Sequence, residues 1–241
     1  MVSQYQYVLL GLLFLLASST SASAGFDISM WSLRNTVRDS SGPSSVQDTD
    51  RITDIINPLD QSSSAQVGDN IATSSYDFSW LEEAGVGDLH TTFDHEMRFT
   101  SDVRTVTRVD IFIETTVDLH VAVDGHVDFS HTVGDFTRIN FGFSIIDVVP
   151  FDVVMTDGVE GGNGNFEPAS GSLTISGETT LLANRTYWLL GTVDNDNVLI
   201  DNPVGTYDVD GFIDFTIRPV PEPLTAWLLL PIFVIGLRCR R

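Results

Sequence analysis

The stretch from Asp194 to Asn202, DNDNVLIDN, is dense in the hard oxygen donors that bind Ca²⁺. Measured from Asp194 it departs from EF-hand spacing. Leu199 stands where the loop needs Gly, and no Glu closes it. Two readings stay open. One is an irregular Ca²⁺ site at a sandwich edge, with Asp194 and Asp196 completed by Asp208 or Asp210. The other is an ordinary Asp/Asn turn. A second chemistry belongs to Trp188. Its neighbour Tyr187 shares the parity of the apolar positions, so in a regular strand Trp188 points to the opposite face. An indole exposed there could pack on the C–H face of a sugar ring, and a buried or edge contact is the plainer alternative.

Asp118, His120, His126 and Asp128 share one polar parity. They could hold a metal or form incidental His–Asp pairs on a solvated face. His95 has apolar parity and reads as a hydrogen-bonded core histidine. For catalysis the chain lacks G-x-S-x-G and HExxH, and the Gly-rich EGGNGN has no Lys and no following helix. Carboxylates are too numerous for any pair to be informative. The expectation is a protein without an enzymatic role and without a cofactor, Ca²⁺ being the one candidate ion.

The elements that must carry these residues are strands. From about residue 88 the apolar period is two: Leu89, Phe93, Met97; Val109, Ile111, Ile113; Phe141, Phe143, Ile145; Leu189, Val193; Ile213, Phe215, Ile217. Gly, Asn and Asp clusters punctuate the runs. Asp124-Gly125 reads as a hairpin with a three-residue loop, Val123 to Gly125, setting His120 opposite Asp128. Only Trp80 to Gly85, WLEEAG, could make a turn or two of helix. The fold expected is all-β, an antiparallel β-sandwich of jelly-roll or other Greek-key type, over residues 76–218. Residues 25–75 are rich in Ser, Asp, Asn and Gln and read as an irregular lead-in, with one edge strand near Phe26 to Leu33.

The chain has 241 residues and a formal charge of −21, and all 12 basic residues are Arg. So anionic a surface argues against nucleic acid as a partner and suits an acidic extracellular one. Codon bias would explain Arg without Lys as well as adaptation to salt would. The single cysteine, Cys239, lies in the tail. Val8 to Ala17 is an apolar run followed by small residues that end in Ala22, Ser23, Ala24. This predicts a secretory signal over 1–24, cut by signal peptidase before Gly25.

The last segment, 219–241, has three parts: Val220-Pro221-Glu222-Pro223, an apolar stretch from Leu224 to Leu237, and Arg238, Arg240 and Arg241. The apolar stretch is short for a transmembrane helix, and Pro231 interrupts it. In order and position these parts resemble the PEP-CTERM sorting signal of exported proteins in Gram-negative bacteria. Cys239, inside the basic cluster, departs from the pattern. The resemblance implies transient anchoring in the inner membrane, processing by an exosortase-type membrane protease, and passage to the cell surface or the extracellular matrix. The terminal arginines suit retention on the cytoplasmic side. The function expected is structural or adhesive within an extracellular polymer layer. The alternative is a carbohydrate-binding jelly-roll module, with Ca²⁺ as its candidate ion, whose partner is extracellular polysaccharide.

Overall fold

The computed structural model describes residues 25–40, 46–54, 61–81, 86–99, 102–132, 136–163, 169–198 and 205–220. Twelve strands fill these ranges: β1 (Phe26–Asp39), β2 (Val46–Asp54), β3 (Gln61–Val67), β4 (Asn70–Leu81), β5 (Val86–Phe99), β6 (Val103–Thr115), β7 (Leu119–His131), β8 (Phe136–Asp147), β9 (Asp152–Asn163), β10 (Ala169–Leu181), β11 (Thr186–Val198) and β12 (Gly205–Pro219). They form two six-stranded sheets, every pair antiparallel. Sheet A has the order β2-β1-β6-β11-β8-β9, and sheet B the order β10-β7-β12-β5-β4-β3. Strands β5 to β12 wind in jelly-roll order, and β1 to β4 widen the sheets beside β6 and β5.

The expected period holds through the core. Leu89, Phe93 and Met97 of β5 are buried, as are Ile111 and Ile113 of β6, Phe141 and Ile145 of β8, and Ile213 and Phe215 of β12. Aromatic rings join the sheets: Phe93 meets Phe141 at 6.0 Å, and Phe143 meets Phe215 edge-on at 6.5 Å.

Three expectations are corrected. Residues 25–75 are no irregular lead-in, since β1, β2, β3 and the start of β4 lie there. In β3 and β4 the inward positions are Ser63, Ala65, Ala72 and Ser74, all buried, so the alternation is one of size and exposure with little hydropathy contrast. In β1 a register shift between Ile28 and Met30 breaks parity. β1 is also no edge strand, because it pairs with both β2 and β6.

The hairpin at Asp124-Gly125 is absent, and β7 runs straight through it. Gly125 lies opposite Ile175 on one side and Ile213 on the other. A Cβ there would meet Phe141 Cζ at 2.8 Å and Ile175 Cγ1 at 2.9 Å. The glycine makes room for a neighbouring ring and does not turn the chain. His120 therefore does not face Asp128. It lies opposite Thr180 and Arg218.

Of WLEEAG, Trp80 and Leu81 end β4, and 82–85 lie outside the described residues. Outside them too lie 1–24 and 221–241, with Ala22, Ala24, Pro221, Glu222, Pro223, the apolar run and Arg238, Arg240 and Arg241. The junctions are described. Gly25 is buried and its carbonyl accepts from Thr116 N at 3.0 Å, while Val220 N donates to Asp118 O at 2.8 Å.

Candidate functional site

Trp188 is on the outer face of sheet A and half-buried, while Tyr187 and Leu189 beside it are core residues. It lies opposite Phe112 of β6 and Ile146 of β8. The same row continues to Met30 of β1 and Val153 of β9. One apolar line therefore crosses the outer face, perpendicular to the strands. At its centre the Phe112 and Trp188 rings stack, 5.4 Å apart and tilted by 9°. The indole Nε1–H donates to Asp110 Oδ1 at 2.9 Å. Arg108 lies over the indole, 5.1 Å from its centre, and donates from Nε to Asp110 at 2.8 Å. Asp110 is almost buried and also accepts from Ser32 Oγ at 3.2 Å. The indole is thus held in one orientation by stacking, a hydrogen bond and a cation. Phe112, Arg108 and Asp110 stand at even parity in β6 beside the odd core run, and the signal that could have found them is that they share the outer face with Trp188.

The four aspartates do not come together. Asp194 and Asp196 stand on the outer face of sheet A, and Asp208 and Asp210 on the outer face of sheet B, with the core between them. The expected Ca²⁺ site is therefore corrected. Asp194 is held by Arg104 through Nε at 2.9 Å and Nη2 at 2.5 Å. Among the described residues no three His, Cys, Asp or Glu side chains converge as metal ligands.

Asp208 and Asp210 belong to a dense acidic field. Asp210 lies directly between Asp94 and Asp128, and Asp208 lies opposite Glu96. Burial, then Glu96, Asp210 and Asp208, push the Asp94 carboxyl above its usual range. Asp128 is held below its usual range by the Ser172 hydroxyl and then by His126, whose Nε2 is 3.2 Å away. His120 sits 3.4 Å from Glu178, and His90 pairs with Asp214. His90 and His126 flank Phe212 at 5.7 and 6.3 Å.

Between the sheets His95 is fully buried, as its parity suggested. Its Nε2 is 2.6 Å from Thr107 Oγ1, which donates to Asn35 Oδ1 at 2.5 Å. Asn35 in turn donates to Ser74 Oγ at 2.7 Å and Ser63 O at 2.9 Å. Asn195 Nδ2 donates to His95 Nδ1 at 2.6 Å. These partners fit a neutral ring protonated on Nε2. Burial pushes its pKa down to about 3.

No protein-family model matches the chain, and no curated protein does. Solved structures give distant likenesses. TmCBM61, in complex with β-1,4-galactotriose, aligns at 11% identity over 60% of this chain and 88% of its own, with a TM-score of 0.25. An infectious bursal disease virus structure, Gx strain, aligns at 10% identity over 86% of this chain and 64% of its own, with a TM-score of 0.24. Isomalto-dextranase of Arthrobacter globiformis T6, complexed with panose, aligns at 11% identity over 75% of this chain and 29% of its own, with a TM-score of 0.19. Likenesses at this level assign neither family nor ligand.

Proposed function

We propose that this chain is an exported, non-catalytic β-sandwich that binds polysaccharide through the outer face of sheet A. An adhesive role in an extracellular polymer layer is the same activity at the scale of the layer. One observation carries the reading: the stacked Trp188–Phe112 pair at the centre of an apolar line across an open sheet face. A core needs no half-buried indole on its outside. Flat aromatic surface with polar groups at its margin is what a sugar ring requires, since its C–H face is apolar and its rim carries hydroxyls. Asp110 supplies that margin at the indole Nε1–H, and Arg108 lies over the ring beside the stacked pair. Export rests on the signal-like 1–24 and the PEP-CTERM-like 219–241, with signal peptidase and an exosortase-type protease as processing partners.

The test is retention of the full chain on immobilised neutral and acidic polysaccharides, beside W188A. Binding that falls about tenfold or more in W188A, with the melting temperature nearly unchanged, supports the reading. No retention on any polysaccharide would overturn it.

A further inference from the structure

We infer that the polysaccharide is anionic, and that a double row of arginines beside the aromatic pair reads its acid groups. This rests on the proposed sugar-binding face. The rows follow from register. On the outer face of sheet A, Arg51 of β2, Arg34 of β1 and Arg108 of β6 lie directly opposite one another. Four residues along, Gln47, Arg38 and Arg104 form a second row. Thr49, Thr36 and Val106 lie between, with the two threonine hydroxyls 3.3 Å apart. Arg34, Thr36, Arg38, Gln47, Arg104 and Val106 line a shallow groove of about 300 Å³. Arg108 belongs to both the rows and the Trp188 platform, and it lies opposite Arg34 of the groove, so the rows adjoin the platform.

This placement runs against the chain's own composition. Like charges directly opposite in a sheet are destabilising, and here Arg51–Arg34, Arg34–Arg108 and Arg38–Arg104 are all such pairs. The chain has 33 acids to set against 12 arginines. Yet among the described residues Arg34, Arg38 and Arg51 are in no ion pair, whereas Arg104 and Arg108 have Asp194 and Asp110. Arg34 Nε is buried with no hydrogen-bond partner. A guanidinium without an ion pair takes a carboxylate or sulfate well, because its fork matches two oxygens. An acidic glycan lying along the rows would pair with Arg34, Arg38 and Arg51 and place a neighbouring sugar on Trp188. The acidic face of a second copy is the competing occupant, but it offers no use for the adjoining aromatic pair.

The experiment is affinity electrophoresis of the full chain at fixed physiological salt, with polygalacturonate, dextran sulfate and neutral galactan as probes. Sedimentation without glycan runs in parallel. R34Q/R51Q and the charge-keeping R34K/R51K are compared with W188A, and their melting temperatures report folding. The expected result is tighter binding to polygalacturonate or dextran sulfate than to galactan. R34Q/R51Q should weaken it about tenfold or more, and R34K/R51K less. Equal binding to neutral and acidic probes, or binding unchanged in R34Q/R51Q, would overturn the arginine rows while leaving a W188A-sensitive platform standing. No binding to any probe would remove the platform as well. Self-association that R34Q/R51Q abolishes, without glycan binding, would overturn the inference in favour of copy-to-copy docking.

Discussion

At the scale of single residues, His95 ties stability to pH. Its Nδ1 faces the Asn195 amide donor and its Nε2–H faces Thr107, so a second ring proton would meet another donor. The folded-state pKa of about 3 lies below the ordinary 6.5. Above pH 6.5 the ring is neutral folded or unfolded, and the residue has no pH effect. As pH falls from 6.5 toward 3 the unfolded chain takes the proton and the folded one does not, so stability is lost across that window. The full loss is roughly 5 kcal/mol at most. Urea unfolding at stepped pH should show it, and H95Q should flatten this part of the profile. An H95Q profile as steep as that of the parent would refute the assignment. The sequence revealed His95 as a core histidine through parity alone. Its partners Thr107 and Asn195, and Asn35 behind Thr107, were illegible, because they lie 12, 100 and 60 positions away and only the packing of sheet on sheet joins them.

At the scale of elements, two strand glycines make a graded prediction. A Cβ on Gly125 would press on Phe141 and Ile175 side chains, which can shift. A Cβ on Gly211 of β12 would lie 2.3 Å from the backbone carbonyl of His126, which cannot yield without moving β7. G125A should cost about 1–3 kcal/mol, and G211A clearly more, by chemical denaturation of both. The same glycine marks where sequence reasoning failed. Asp-Gly is a strong turn signal, yet odd parity runs unbroken through Val121, Val123, Val127 and His131, all buried. The long period outranked the dipeptide. In β3 the opposite holds, for Gln61 to Val67 has almost no hydropathy contrast. Its placement depends on β2, whose Asp50 accepts from Ser64 N at 3.0 Å and whose Asp48 accepts from Gln66 N at 2.8 Å. These carboxylates occupy edge donors that no strand of sheet B reaches, a contact between two segments each of which reads as loop.

At the scale of the molecule, the two outer faces differ in charge. Sheet A carries Arg34, Arg38, Arg51, Arg104 and Arg108 close together, while sheet B sets Asp128, Asp210 and Asp94 in one line. Net charge was plain from composition, but its partition was not, since it depends on which strands neighbour one another. The acidic line is a strain that salt should relieve. D210N is expected to raise the melting temperature by about 2 °C, and the gain should shrink as salt is added. An equal gain in high salt would show that mutual repulsion is not its source.

The chain also enters and leaves the sandwich at one place. The carbonyl of Gly25 and the amide of Val220 are both held by the short β6–β7 connection, at Thr116 and Asp118. A tether through either terminal segment would therefore moor the sandwich by the same pole.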